Sequence, residues 1–233
     1  MQRHVVIVTG AAGNVGAAAC RLVAAAGGRV VAVDRAPDRL EGVVAALRGD
    51  GHVLETGVDL GSAEAAAALV ARVVERAGRL AGLIHTVGGF RAAPLAQSDA
   101  ALWEQMFAVN LTTTLNIVRA AAAPMRAARA GAIAVIAAGA ALRAPAGLSA
   151  YAASKSAVIR LVESAADELK AEGVRVNAVL PGTIDTPQNR AAMPDADPSK
   201  WVSVDQVASV LAFLVSPEAS GVTGAAIPIT GRG

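Results

Sequence analysis

The chain has 233 residues, which suits one domain of ordinary size or at most two small ones. Hydrophobic residues make up 54% and charged residues 17%, enough apolar material for a large core. A net charge of +2 with no basic-aromatic cluster gives nucleic-acid binding no footing. One cysteine, Cys20, excludes an internal disulfide, and the scattered His4, His52 and His85 lack metal-ligand spacing.

The chain opens MQRHVVIVTG, an apolar strand at Val5–Val8 that runs straight into glycine and leaves no room for a signal peptide. A helix is predicted over 15–26, then a strand at Val30–Val33, a helix over 38–48 and a strand at Val53–Glu55. A helix over 62–77 and a strand at Leu83–His85 follow, then one long helix over 99–128 and a strand at Ile133–Ile136. The last elements are a helix over 152–172, a strand at Val174–Val179, a helix over 204–215 and a strand at Ala226–Ile229. Glycines 27, 49, 78, 131 and 173 stand where helix C-caps are expected.

Seven strands that are apolar throughout, alternating with helices, predict an α/β fold: a doubly wound parallel sheet (a Rossmann fold) with helices on both faces. Residues 1–233 read as a single domain, with no repeat or compositional break. The proline-rich stretch at about 183–202 is long enough to be a substrate lid. The longest apolar run, 130–142, is 13 residues between two arginines, short of the ~18 that a spanning helix needs. A soluble, cytoplasmic protein without membrane contact is expected.

Three glycines, Gly10, Gly13 and Gly16, lie in the loop TGAAGNVG between the first strand and first helix. They permit a tight turn and close approach to a pyrophosphate, which the helix N-terminus then attracts. Asp34 ends the second strand, where a carboxylate accepts both hydroxyls of an adenosine ribose and repels a 2′-phosphate. NAD(H) is therefore favoured, while the neighbouring Arg35 keeps NADP(H) open. Asp59 suits either an adenine amino group or the cap of the helix starting near Ser62.

Tyr151 and Lys155 stand four apart on a predicted helix and so share a face. An ammonium beside a tyrosine favours its phenolate, which would make Tyr151 an acid or base near neutral pH. A half-buried tyrosine with a surface lysine is the plain structural reading of the same spacing.

At this point the chain resembles the short-chain dehydrogenases/reductases. The likeness rests on the loop at 9–16, Asp34, Asp59, the segment His85-Thr86-Val87-Gly88, Asn110 in FAVN, Tyr151-x-x-x-Lys155, and Pro181-Gly182-Thr183-Ile184-Asp185-Thr186. The resemblance implies hydride transfer at a nicotinamide with Tyr151 moving the proton. Lys155 would hold the nicotinamide ribose and lower the tyrosine pKa, and Asn110 would support a water relay. It also implies cofactor contacts from Asn14, Val15, Leu60, Thr86, Val87, Gly88, Pro181 and Gly182, with Ile184 and Thr186 at the carboxamide or phosphates. A homodimer or homotetramer is implied, built on the helices near 99–128 and 152–172.

Two departures stand out. Asn14 replaces the middle glycine of the family's commonest loop, and Ala138 occupies the position thirteen before the tyrosine where the family has a catalytic serine. Deleting a donor of that kind typically costs ~10²–10³ in rate. A quinonoid substrate tolerates the loss, because incoming electrons restore a conjugated ring. The stretch TIDTPQNRAAMPDADPSKW and the segment Gly88-Gly89-Phe90 resemble dihydropteridine reductases, which also lack the serine. Phe90 and Trp201 are expected to serve packing rather than substrate stacking. The expected function is an NAD(H)-dependent reductase acting on a small quinonoid or other activated carbonyl substrate. Alternatives are a carbonyl reductase or alcohol dehydrogenase in which Ser149 or Thr86 replaces the missing donor, and a non-catalytic NAD(H)-binding regulator. Retention of Tyr151, Lys155 and Asn110 together argues against the regulator.

Overall fold

The structure is a computed structural model that describes residues 4–231. Its strands are β1 (Val5–Thr9), β2 (Arg29–Asp34), β3 (Val53–Thr56), β4 (Gly82–His85), β5 (Gly131–Ile136), β6 (Val174–Pro181), β7 (Ile184–Asp185), β8 (Val202–Ser203) and β9 (Ala226–Ile229). The α-helices are α1 (Asn14–Ala25), α2 (Pro37–Ala45), α3 (Ala63–Ala77), α4 (Ala100–Phe107), α5 (Thr113–Ala127), α6 (Ser149–Leu169), α7 (Pro187–Ala192) and α8 (Val204–Leu214).

Seven of the strands form one parallel sheet in the order β3-β2-β1-β4-β5-β6-β9. Alternate residues of each strand feed two separate cores, as the pleat requires. Ile7, Leu83, Ile133 and Val176 pack under α3, α5 and α6, against Leu69, Ile117 and Val158. Val6, Val8, Ile84 and Val179 pack on the other face against Val23 of α1, Leu40 of α2 and Leu211 of α8. Full burial of one such side chain contributes ~1.5–3 kcal/mol, so the two-sided core accounts for the inner strands β1, β4 and β5 being almost wholly apolar, while the edge strands β3 and β9 stay half-exposed. The strand order reverses between β1 and β4, which opens a crevice at their C-terminal ends.

The long helix expected over 99–128 is broken. Residues Ala108–Thr112 form a π-helical turn between α4 and α5. Two hydroxyls hold the i−4 carbonyls beside it, Thr113 Oγ1 on Val109 O at 2.7 Å and Thr114 Oγ1 on Asn110 O at 2.6 Å. Such back-bonding loosens the helical ladder, and π turns of this kind recur at functional sites. Gly131 is not a helix cap either. It begins β5, and the chain leaves α5 through Arg129 in a left-handed conformation, φ 48°. Gly78 and Gly173 do take the expected left-handed cap conformation, φ 75° and 77°.

Between β6 and α8 the chain makes an excursion over 182–203. Its two ends are tied by the short parallel pair Ile184↔Val202 and Asp185↔Ser203. Inside it, α7 is capped by Thr186, whose hydroxyl accepts from Asn189 N, and Asn189 Nδ2 donates to Ile184 O at 2.7 Å.

Candidate active site

The switch-point crevice is a cleft of about 550 Å³. Gly10 and Gly13 form its floor, Asp34 and Arg35 one end, and Asp59 with Leu60 the flank. Thr86, Val87 and Gly88 line it from the end of β4. Gly10 sits at φ 71°, and a Cβ there would lie 2.6 Å from Thr86 Oγ1, so this turn accepts no side chain. At Gly16 a Cβ would lie 2.1 Å from Gly10 O, which packs α1 directly onto the loop. Val15 is buried beside it, while Asn14 starts α1 with no side-chain cap from Gly13. The first turn of α1 thus presents free N–H groups and a partial positive charge to the cleft.

Asp34 closes the end of β2 through three backbone donors. Its Oδ2 accepts from Ala12 N at 3.0 Å, and Oδ1 accepts from Arg35 N at 2.7 Å and Ala36 N at 3.2 Å. These bonds fix the carboxylate at the C-terminal end of β2, where it lines the cleft. Asp59 does not cap α3, because Ser62 performs that task by accepting from Ala65 N. Asp59 instead turns on itself, accepting from Gly61 N at 2.9 Å. A carboxylate at one end, an uncapped helix start and a side-chain-free turn fit a dinucleotide.

Tyr151 and Lys155 lie in the first two turns of α6. Lys155 is buried, and its Nζ donates to Ile136 O at the end of β5, 3.0 Å away. Asn110, also fully buried, faces them from the π turn. Its Oδ1 accepts from Gly89 N at 2.9 Å, and its Nδ2 donates to Gly89 O at 3.1 Å and to Ser154 Oγ at 3.0 Å. Ser154 Oγ donates in turn to Tyr151 O at 2.7 Å. One amide therefore ties the loop after β4 to the helix that carries the tyrosine. The fit is close, since a Cβ at Gly88 would lie 2.9 Å from Asn110 Oδ1 and 3.0 Å from Lys155 Nζ.

The electrostatics differ from the expectation drawn from spacing. Burial raises Tyr151 to about 12 and lowers Lys155 to about 8. The ammonium, engaged by the Ile136 carbonyl, does not offset the desolvation of the phenol. Tyr151 accordingly keeps its proton at neutral pH, the form an acid catalyst requires. Beneath this group lies His85, fully buried, its Nδ1 paired with Thr9 Oγ1 at 2.7 Å. Its Nε2 is the one buried side-chain polar atom without a partner among the described residues. Burial first, then the nearby Lys155 charge, hold the imidazole neutral by lowering it to about 3.

Ala138 is buried just beyond β5 and brings only a methyl group. Thr86 is no substitute donor: its one hydroxyl proton goes to Thr9 O at 2.8 Å, with Gly10 O at 3.3 Å. Ser149, the first residue of α6, is half-buried two positions from the tyrosine.

The remaining residues expected at the cofactor lie at the end of β6 and in the excursion that follows it. Pro181 ends β6 against Ile229, and Gly182 N donates to Ile229 O at 2.9 Å. Ile184 and Thr186 belong to β7 and the cap of α7 and do not line the cleft wall that holds Asp34. One contact joins the excursion to α1: Asn14 Nδ2 donates to Gln188 Oε1 at 2.9 Å.

Sequence reasoning missed Ser154, the Asn14–Gln188 contact and the role of Phe90. Ser154 was legible beside Lys155. The Phe90 ring lies edge-on to Tyr151, centroids 4.9 Å apart at 76°, yet is 58% exposed. Of the packing expected for it, in the core or in the lid, the exposure excludes the core. Trp201 is half-buried immediately before β8.

The model of the short chain dehydrogenase family matches residues 4–197. A cis-4-hydroxycyclohexanecarboxylate dehydrogenase of Sinomonas cyclohexanicum is 36% identical over 238 residues, covering 98% of this chain and 95% of its own. Among solved structures, a short-chain type dehydrogenase/reductase from Mycobacterium ulcerans superposes with a TM-score of 0.93 at 32% identity, covering 100% of this chain and 90% of that one. An NAD+-bound xylitol dehydrogenase superposes with a TM-score of 0.87 at 28% identity, covering 99% and 98%.

Proposed function

Because this chain belongs to the short-chain dehydrogenase family, and is an oxidoreductase with it, we propose that it reduces a ring carbonyl or quinonoid substrate with NADH, Tyr151 giving the proton. A bound nicotinamide supplies the hydride. Asp34 holds the adenosine ribose and disfavours a 2′-phosphate, while Arg35, which lines the same cleft, leaves NADPH a weaker second choice. The first turn of α1 neutralises the pyrophosphate, and Ile184 and Thr186 close the lid over the nicotinamide end. Tyr151 donates its phenolic proton to the substrate oxygen as charge develops there. Lys155, held at Ile136 O, supports the phenolate that remains, and Asn110 fixes both against the loop after β4.

The observation that carries this reading is the tyrosine itself, largely desolvated and protonated, one helical turn from the buried Lys155, with its backbone carbonyl tied to Asn110 through Ser154. With Ala138 supplying no donor, the substrate is one whose oxygen needs little help, such as a quinonoid dihydropterin or another activated ring. The name of the Sinomonas relative supports a ring substrate. The test is NADH oxidation against quinonoid dihydropterin and a panel of cyclic and open-chain ketones, with NADPH in parallel. Fast turnover with NADH sustains the reading; NADH binding without turnover of anything overturns it. A second reading, an ordinary carbonyl reductase or alcohol dehydrogenase, now requires Ser149 as the donor. Ser149→Ala tests it, and unchanged turnover removes that residue. The protein acts as a homodimer or homotetramer, and among the described residues no helix is long and apolar enough to cross a membrane.

A further inference from the structure

Seven large apolar side chains are exposed among the described residues: Leu54, Phe90, Leu95, Leu115, Leu142, Met193 and Phe213. Three of the seven fall in the two loops beside the helix that carries Tyr151. Phe90 and Leu95 are in the loop after β4 and Leu142 is in the loop after β5. The two loops are tied to each other by Ala93 N donating to Gly147 O at 2.8 Å. The loop after β5 is also tied to α6, by Ser156 Oγ on Ala141 O at 2.8 Å. Phe90 is the member that touches the catalytic tyrosine, presenting its edge to that ring while more than half of it faces outward. Exposed apolar surface concentrated in this way marks a binding surface, and an open aromatic face beside the proton donor suits a ring lying over it.

The charges in the same loops are one-sided. Residues 86–98 and 137–150 contain two charged side chains, Arg91 and Arg143, and no carboxylate. Both arginines are exposed, and neither makes an ion pair among the described residues. Arg91 directly follows Phe90, and Arg143 directly follows Leu142. No acid of the 182–203 excursion pairs with them: Asp185 is paired with Arg190, and neither Asp195 nor Asp197 makes an ion pair with Arg91 or Arg143 among the described residues. A guanidinium beside an apolar wall is the pairing that recognises a carboxylate on a hydrophobic body.

We propose that the substrate is a ring compound bearing a carboxylate, its ring on Phe90 beside Tyr151 and its carboxylate held by Arg91 and Arg143. This rests on the hydride-transfer reading above and names its substrate class. The reaction balances as hydride from NADH to the ring carbonyl carbon and proton from Tyr151 to its oxygen, giving the ring alcohol and NAD+.

The test compares NADH-dependent reduction of 4-oxocyclohexanecarboxylate with that of 4-methylcyclohexanone, in the unaltered protein and in the Arg91→Gln/Arg143→Gln and Phe90→Ala variants. Both substrates present the same carbonyl, so the methyl at Ala138 weighs on them equally. The acid is expected to have a kcat/KM about 10-fold or more above the neutral ketone, a preference that 0.5 M salt and the double glutamine variant both remove. The neutral ketone should be unaffected by the glutamines, and Phe90→Ala should raise KM for both. Equal kcat/KM for acid and ketone, or a preference that survives the double variant, overturns the proposal. If neither ketone is reduced, calorimetry of the NADH-loaded protein with cyclohexanecarboxylate and cyclohexylmethanol separates the two readings. Binding of the acid that is lost in the double variant sustains the carboxylate site and refutes hydride transfer to ring ketones. Equal or absent binding overturns the carboxylate site.

Discussion

His85 offers a direct check on the electrostatics of this active site. It is fully buried with an unpartnered Nε2, and it lies near a buried ammonium, so the folded protein refuses it a proton until about pH 3. The unfolded chain accepts one at the ordinary value of 6.5. The folded pKa is depressed, so as pH falls through this window the unfolded state binds the extra proton and stability is lost. At 1.36 kcal/mol per unit, the loss from this residue alone between pH 7 and pH 5 is ~2 kcal/mol, growing further toward pH 3. Replacing His85 by Asn removes the titration and retains an oxygen that can accept from Thr9 Oγ1. Urea unfolding of both proteins at pH 7 and pH 5 should show the unaltered protein losing ~2 kcal/mol more than His85→Asn over that interval, equivalent to ~4–8 °C in melting temperature. The surface carboxylates contribute equally to both proteins and cancel in the difference. Lys155, depressed to about 8, changes charge above this range. Parallel pH profiles for the two proteins, or a nitrogen resonance of His85 titrating near 6.5, would refute the reasoning.

Three other outcomes follow from the same geometry. Tyr151→Phe should leave NADH binding intact and lower kcat by ~10²–10⁴, since it removes only the proton donor; a loss below tenfold in steady-state assays would exclude Tyr151 as that donor. Asp34→Ala should raise KM for NADH and narrow its advantage over NADPH by ~10-fold or more, because it removes both the ribose acceptor and the charge opposing a 2′-phosphate. Unchanged discrimination would move that task elsewhere, with Arg35 the residue to alter next. Ala138→Ser should raise turnover of unactivated ketones by up to ~10²-fold, while an activated ring gains little. Equal gains on both substrates would show that the missing hydroxyl does not select the substrate.

What could be read without coordinates followed the strength of local signals. The five inner strands of the sheet were legible because they are buried on both faces and therefore largely apolar, as Val5–Thr9 and Gly131–Ile136 show, whereas the edge strands β3 and β9 are half-exposed and were read from their short β-branched runs. The cofactor cleft was legible because its parts are backbone requirements, such as the side-chain-free turn at Gly10, or strand-end charges such as Asp34. The π turn at Ala108–Thr112 was not, since AVNLT has no breaker. What opens the helix is a pair of threonine hydroxyls one turn on and an asparagine held by a distant loop. The protonation states were illegible for a related reason. Spacing places Lys155 on the tyrosine's face of the helix, but only the fold seats its ammonium on Ile136 O, where the desolvation of Tyr151 wins.

That competition bears on the direction of catalysis. A phenol near 12 is a poor base at neutral pH and a ready acid whenever a substrate oxygen gathers charge. The ground state of this site is therefore set for giving a proton. Running it as an alcohol dehydrogenase requires positive charge to arrive beside Tyr151, as an oxidised nicotinamide would bring. The neutrality of His85 matters here as well, because a second buried cation under Lys155 would drive the lysine to shed its own proton. Keeping the imidazole uncharged lets Lys155 retain its own charge, which then favours the phenolate once the proton has gone.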